Sequence, residues 1–391
     1  MKKLLAMMLM IASVVFISCN NDDGVDPLSK EEAQEMISNL PTDVGTQMAN
    51  LSDAEGVAVM EMLMNMPFPF DEGANKSSKE SSVLYNLNKY LLPQTYMEKN
   101  FTSNAKVEDP GFDFETYKGT YTYHYAEYPS YPYWTKEAGD KIVLNFPSDT
   151  TNMDVNDASL TIYSYTETLI TELDEGYTYK YYNPTSMHAD LFVGSVELID
   201  INFTAEWIVT GENAGQPSSL DAVVYLAPFE FSGNFDINGK SVEVDVSINF
   251  NGGVLFGAGI DGTFETEDLE HPINLAGYIQ FMDVKVKADV DIKDIETLMD
   301  GVYEETIVYT DPQDFIDDLN KEFTAAIYVD GAKAADIEIA LNPMATAEDN
   351  LPFDIVFVFD DGSSQSAIPT FIAFGAELDD FFEFFDGFYL K

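Results

Sequence analysis

Phe229-Glu230-Phe231-Ser232-Gly233-Asn234-Phe235-Asp236-Ile237-Asn238-Gly239-Lys240-Ser241-Val242-Glu243-Val244-Asp245-Val246-Ser247-Ile248 alternates apolar and polar residues on both sides of an Asn-Gly pair. Period two is the signature of a strand with one dry face, and Asn-Gly between two such runs predicts a two-residue hairpin. Zipping outward from a turn at Asn238-Gly239 sets Phe235 opposite Val242, Phe231 opposite Val246 and Phe229 opposite Ile248. The other face then pairs Glu230 with Ser247, Ser232 with Asp245 and Asn234 with Glu243. A slip of one residue would carry acids into the core, so pattern and turn together set the register.

The same reading extends in both directions. Asn251-Gly252-Gly253, taken as a three-residue loop, sets Phe250 opposite Val254, Ile248 opposite Phe256 and Val244 opposite Ile260. Tyr278 to about Ile292 reads as one long strand, with Val284, Val286, Ala288, Val290 and Ile292 alternating against Lys285, Lys287, Asp289 and Asp291. Asp330-Gly331 predicts another hairpin, and Phe353 to Phe359 is apolar on both faces, as in a covered strand. Upstream, Tyr117, Gly119, Tyr121, Tyr123 and Tyr125 share one strand face. Helices are predicted where spacing and caps agree. Ser29 with Glu32 is a capping box, Ser52 with Glu55 repeats it, Asp311-Pro312 opens a helix with Phe315, Ile316 and Leu319 on its inner side, and Leu378, Phe381, Phe382 and Phe385 recur at helical spacing. The expected fold is mainly β: a large antiparallel curved sheet or partly open barrel, with N-terminal helices and short helices near the C-terminus.

The N-terminus has its own logic. Met1-Lys2-Lys3 precedes an apolar run from Leu4 to Ile17, too short to span a bilayer comfortably. Phe16-Ile17-Ser18-Cys19 then meets Asn20-Asn21-Asp22-Asp23, and Cys19 is the only cysteine of 391 residues. This segment resembles the lipobox of bacterial lipoproteins. The resemblance implies cleavage before Cys19, lipidation of its thiol, and export to the outer membrane, on the periplasmic side or at the surface. Asp22 and Asp23 resemble the acidic surface-export signals of some lipoproteins. The implied organisation is a signal peptide over 1–18, lipidated cysteine and tether over 19–28, a helical segment over 29–92 and a β domain over 93–391. Several acyl chains, at about 0.8 kcal/mol per buried CH₂, would hold such a chain on a membrane.

Charge excludes partners. The chain carries 69 Asp and Glu against 19 basic residues, every one of them lysine, for a net charge of −50. Nucleic acid, which needs clustered cations, is excluded, as is bidentate recognition of phosphate by arginine. His124, His188 and His271 form no metal or nucleophile motif, and the glycines at 252, 253, 257, 259 and 262 lie on a strand rather than in a phosphate loop.

Two stretches stand out as candidate sites. Tyr125, Tyr128, Tyr131, Tyr133 and Trp134 sit among prolines and suit sugar stacking or protein contact, or else cover the end of the core. Asp149, Asn152, Asp154, Asn156 and Asp157 gather enough oxygen for calcium, the one cofactor the sequence offers, or make an ordinary polar turn. The expected function is a non-catalytic envelope lipoprotein binding a glycan or another envelope protein. The alternatives are a carrier for a hydrophobic ligand in a β half-barrel and a hydrolase using paired carboxylates, for which sequence nominates no pair.

Overall fold

A computed structural model describes residues 28–32, 34–35, 59, 63, 66 and 69, and 111–372 apart from 125–133, 150, 175–176, 212, 268 and 343–352. Cys19 and the predicted helix at Leu378–Phe385 lie outside the described residues. The expectation of a mainly β, open, largely antiparallel architecture with a few short helices holds. The chain divides into two compact units, one of Leu51–Asp236 and one of Met1–Asn50 with Ile237–Lys391.

The first unit is built on β1 Gly119–Tyr123, β2 Trp134–Glu137, β3 Ile142–Phe146, β4 Ala158–Asp174, β5 Tyr177–Val193, β6 Val196–Trp207, β7 Thr210–Gly211, β8 Pro217–Leu226 and β9 Phe229–Asn238. A one-turn helix, α1 Phe114–Tyr117, precedes β1. The ladder runs β2-β1-β3-β4-β5-β6-β8-β9, antiparallel except where β1 lies parallel to β3, and β7 adds a parallel pairing to β4. β4 and β5 are 17 residues each, well beyond the usual five or six. Ile142, Leu144, Ile162 and Leu191 are almost wholly buried on one face, and Val59, Leu63 and Met66, at helical spacing, join the same core. Each such side chain contributes about 1.5–3 kcal/mol by leaving water.

The second unit holds β10 Ser241–Phe250, β11 Gly253–Phe264, β12 Pro272–Phe281, β13 Val284–Asp291, β14 Phe323–Val329, β15 Ala332–Leu341, β16 Phe353–Val358 and β17 Ser364–Ser366. Each pairs antiparallel with the next. Two helices, α2 Ile292–Tyr303 and α3 Pro312–Leu319, follow β13. Ala288, Ile327, Val329, Ile337 and Phe357 form its core, with Leu28 and Phe371 packed against it. The Ser29–Glu32 capping box forms as expected: Glu32 N–H donates to Ser29 Oγ at 3.4 Å and Ser29 N–H to Glu32 Oε2 at 3.2 Å.

Turn chemistry corrects the sequence reading in three places. β9 ends at Asn238 and β10 begins at Ser241, so the turn is Gly239-Lys240, and Gly239 (φ 62°) has a positive φ where Asn238 does not. Asn251-Gly252 is instead the two-residue turn with both φ positive, at 51° and 81°. Phe250 therefore faces Gly253, and a bulge at Ile248/Asn249 restores the expected Ile248–Phe256 and Val244–Ile260 pairs. Tyr278–Ile292 is not one strand. It is broken at Met282-Asp283, where Met282 takes φ 49° without help from glycine.

Candidate functional site

On β5, Met187, Ala189 and Leu191 point into the core, so His188 and Asp190 face the other way. Register then gathers their neighbours. Asp190 lies opposite Thr161 on β4 and Asp200 on β6, while His188 lies opposite Asn202 on β6. Asp200 is in turn opposite Tyr225 on β8. The β4 ladder shifts between Ile162 and Ser164, leaving Tyr163 as the extra residue of a bulge. Bulges re-aim side chains, and this one sets Tyr163 over its neighbours.

The Tyr163 ring stacks on His188, with centroids 4.6 Å apart and planes 20° from parallel. Lys141 Nζ lies 4.3 Å from the centre of the same ring. The Tyr163 hydroxyl donates to Asp190 Oδ2 at 2.6 Å. Asp190 is only 8% exposed, and that hydrogen bond satisfies a charge which would otherwise be costly to bury. Asn202 Nδ2 donates to Asp200 Oδ2 at 3.0 Å, and His188 Nε2 lies 3.7 Å from Asp200 Oδ1. That oxygen is buried and accepts no hydrogen bond among the described residues. The hydrogen bond to Asp190, with burial and the acid's charge behind it, pushes the Tyr163 phenol above its usual range, so the hydroxyl stays a donor. Tyr163 remains 38% exposed. A partly exposed aromatic ring, a lysine and planar acid and amide groups thus lie on one face of the sheet. From β4 to β8 it spans three inter-strand spacings, about 14 Å.

Sequence reasoning missed this cluster. His188 and Asp190 could be placed on one face by their alternation with Met187, Ala189 and Leu191. Their meeting with Tyr163 and Asp200 depends on pairings across three strands and on a bulge, which no local pattern reveals.

Of the residues expected to bind ligand, Tyr125, Tyr128, Tyr131 and Tyr133 lie outside the described residues. Trp134 opens β2 and packs edge-on against Tyr123, with centroids 5.1 Å apart, beside the core of its unit. In the expected calcium loop, Asp149 accepts hydrogen bonds from Thr151 N–H at 2.8 Å and Thr151 Oγ1 at 2.6 Å. Asp157 accepts from Ser148 N–H at 2.8 Å and Oγ at 2.9 Å, and Asn156 Nδ2 donates to the Tyr123 carbonyl at 2.8 Å. Asn152 and Asp154 are exposed.

Among the described residues, three carboxylates whose oxygens all lie within 4.8 Å of one another occur at Asp291, Asp294 and Glu322. Asp291 also caps α2, accepting from Asp294 N–H at 2.9 Å. Such a surface trio could coordinate a divalent cation, with water completing the six or more oxygens that calcium takes. Glu32, Asp113, Asp149, Glu265, Asp318 and Asp361 each have proton affinities lowered, with hydrogen-bond donors as the leading cause. A lowered affinity suits a structural acceptor better than a proton donor.

No family model matches the chain, and no curated protein matches it. Among solved structures, a porin-like protein from Bacteroides vulgatus aligns at 10% identity over 52% of this chain and 96% of that one, with a TM-score of 0.18. Superposition at that level establishes no common fold. Among the described residues no helix is long and apolar enough to cross a membrane.

Proposed function

We propose that this protein is a non-catalytic lipoprotein of the cell envelope, held by lipid on Cys19, and that the Tyr163–His188 face binds a glycan. The observation that carries the reading is the partly exposed Tyr163, its ring held between His188 and Lys141, on the same sheet face as the acid and amide groups of Asp190, Asp200 and Asn202. A sugar ring offers an apolar face and a rim of hydroxyls. Its apolar face can meet the exposed edge of the tyrosine while planar carboxylate and amide groups take its hydroxyl protons. The strands hold these groups before the ligand arrives, which lowers the ordering cost of binding. The lipobox-like segment supports the anchoring, and calcium, if used, has acceptors at Asp291, Asp294 and Glu322 or in the 149–157 loop.

The test is calorimetric titration of the full chain in detergent with a panel of envelope and host-type oligosaccharides, beside Tyr163→Ala. A glycan bound by the wild-type chain and lost at least tenfold in the variant is the expected result. Equal affinity in both would sink the assignment. A second reading, a carrier for a hydrophobic ligand, draws on Val246 and Ile260, which remain 38% and 40% exposed on one face of β10 and β11. A fluorescent fatty acid bound equally by wild type and Tyr163→Ala, with no glycan bound, would favour that reading.

A further inference from the structure

The loop between α2 and α3 folds back on both helices. Thr306 and Ile307 N–H groups both donate to the Gly301 carbonyl at 2.9 Å. A Cβ at Gly301 would stand 2.6 Å from Ile307 Cδ1, so the loop side chain packs directly over the glycine and would have to move for any larger residue. At the other end, the Tyr309 hydroxyl donates to Asp318 Oδ2 at 2.7 Å, and its ring meets Phe315 with centroids 5.4 Å apart. Between these fixed ends lies an open cleft of about 610 Å³, lined by Val302, Ile307, Val308 and Phe315 among others, with Glu305 and Thr310 as its polar members.

Its rim is unusual in two respects. Val308, which lines the cleft, is 77% exposed, and Tyr303 at the end of α2 is 65% exposed, so large apolar side chains stand in water on this segment. From Asp294 to Asn320 the chain carries nine acids and no lysine, arginine or histidine. Lys321, the next cation, is engaged by Asp318 at 2.6 Å. A largely apolar lining with Glu305 in it, on a segment that carries acids and no cation, selects a complementary partner by both terms.

We propose that this cleft docks a protein segment that presents an aliphatic or aromatic anchor flanked by lysine or arginine. The anchor fills the space beside Val308 and Phe315, and the flanking cations face Glu305 and Asp314. Anionic lipid is disfavoured by the same rim, since its headgroups would meet like charge.

The probe is a fluorescent amphipathic peptide of alternating leucine and lysine, with a glutamate-for-lysine peptide as control, read by anisotropy against the full chain. Because a chain of net charge −50 attracts any cation, the decisive comparison is between variants. Val308→Ser alters an exposed side chain and leaves both the fold and the net charge unchanged, as a thermal melt would check. The expected result is a loss of affinity of at least tenfold in Val308→Ser, a similar loss in Glu305→Gln/Asp314→Asn, and no binding of the acidic peptide. Unchanged affinity in Val308→Ser would overturn the proposal and reduce the binding to net charge. Flotation of the Cys19→Ser chain, which carries no lipid, with phosphatidylcholine vesicles that Val308→Ser abolishes, without peptide binding, would overturn it in favour of a membrane contact.

Discussion

At the scale of single residues, the absence of arginine shapes how this protein satisfies its acids. Tyrosine hydroxyls serve instead. Tyr163 donates to Asp190 at 2.6 Å, Tyr278 to Asp245 at 2.6 Å, Tyr309 to Asp318 at 2.7 Å and Tyr181 to Glu172 at 3.1 Å. Unlike a lysine, a phenol offers one neutral donor on a rigid ring, so it orients a carboxylate without adding charge. Burial, with the partner acid behind it, pushes the Tyr181 and Tyr278 phenols well up and Tyr309 to about 12. A raised folded value means that stability is fully present below the ordinary phenol value of 10.0 and is lost as pH rises through the folded one. Alkaline titration followed by phenolate absorbance and circular dichroism should therefore show these tyrosines ionising late, together with unfolding, as pH climbs from 10 towards 12. Early ionisation of all tyrosines with the fold intact would contradict the role given to these pairs.

Elements were legible in the sequence to the extent that their signals were local. Asp311 as cap with Pro312 in the first turn gave α3, and Asp330-Gly331 gave its hairpin, with φ of 50° and 78°. The break at Met282-Asp283 was masked by the long alternation that follows it, although Asp283 is a turn-forming type and the apolar positions change phase there, from Ile279 and Phe281 to Val284 and Val286. α2 was hidden for a related reason. Its cap, Asp291, and its apolar positions Ile292, Ile295, Met299 and Val302 follow directly on a strand pattern, and none of them is fully buried. Glycines on β11 show how an element meets its neighbour. A Cβ on Gly259 would stand 2.7 Å from Tyr278 Cε1 and 2.8 Å from Asp245 Oδ2, because the tyrosine crosses over the glycine to reach its acid. Lys285 Nζ caps the other side of that ring, 3.6 Å from its centre. Gly253, by contrast, has only the Phe250 carbonyl oxygen nearby, at 3.7 Å. Gly259→Ala should thus cost about 1–3 kcal/mol, the usual range for overpacking, and Gly253→Ala well under that. Urea unfolding of both variants would check the order, and equal midpoints would refute the crossing as a source of stability.

At the scale of the whole molecule, two electrostatic effects oppose each other. A net charge of −50 strains the compact state through self-repulsion, and protonating acids relieves it. Local acceptors pull the other way. Asp113 is held low by Thr116, Asp361 by Ser363 and Glu265 by Lys293. A depressed carboxylate contributes stability above its unfolded value, 3.8 for aspartate or 4.5 for glutamate, and loses it as pH falls through the lower folded value. Repulsion begins to fall as the unpaired acids take up protons, before the capped ones do. The thermal midpoint should therefore rise from pH 7 to about 5 and fall again below about 4, where the capping carboxylates protonate. Salt separates the two effects, since repulsion among surface charges is screened beyond about 10 Å at 0.1 M while hydrogen-bonded caps are touched little. Raising salt at pH 7 should stabilise the protein, and the same salt near pH 4.5 should change the midpoint much less. A midpoint that falls steadily from pH 7, or salt that destabilises at pH 7, would mean that attractive pairs dominate this surface despite its charge. Lysine–acid pairs such as Lys118–Glu115, Lys293–Glu265, Lys321–Asp318 and Lys333–Asp336 are exposed to solvent, where an ion pair contributes little, too little to offset repulsion among so many acids.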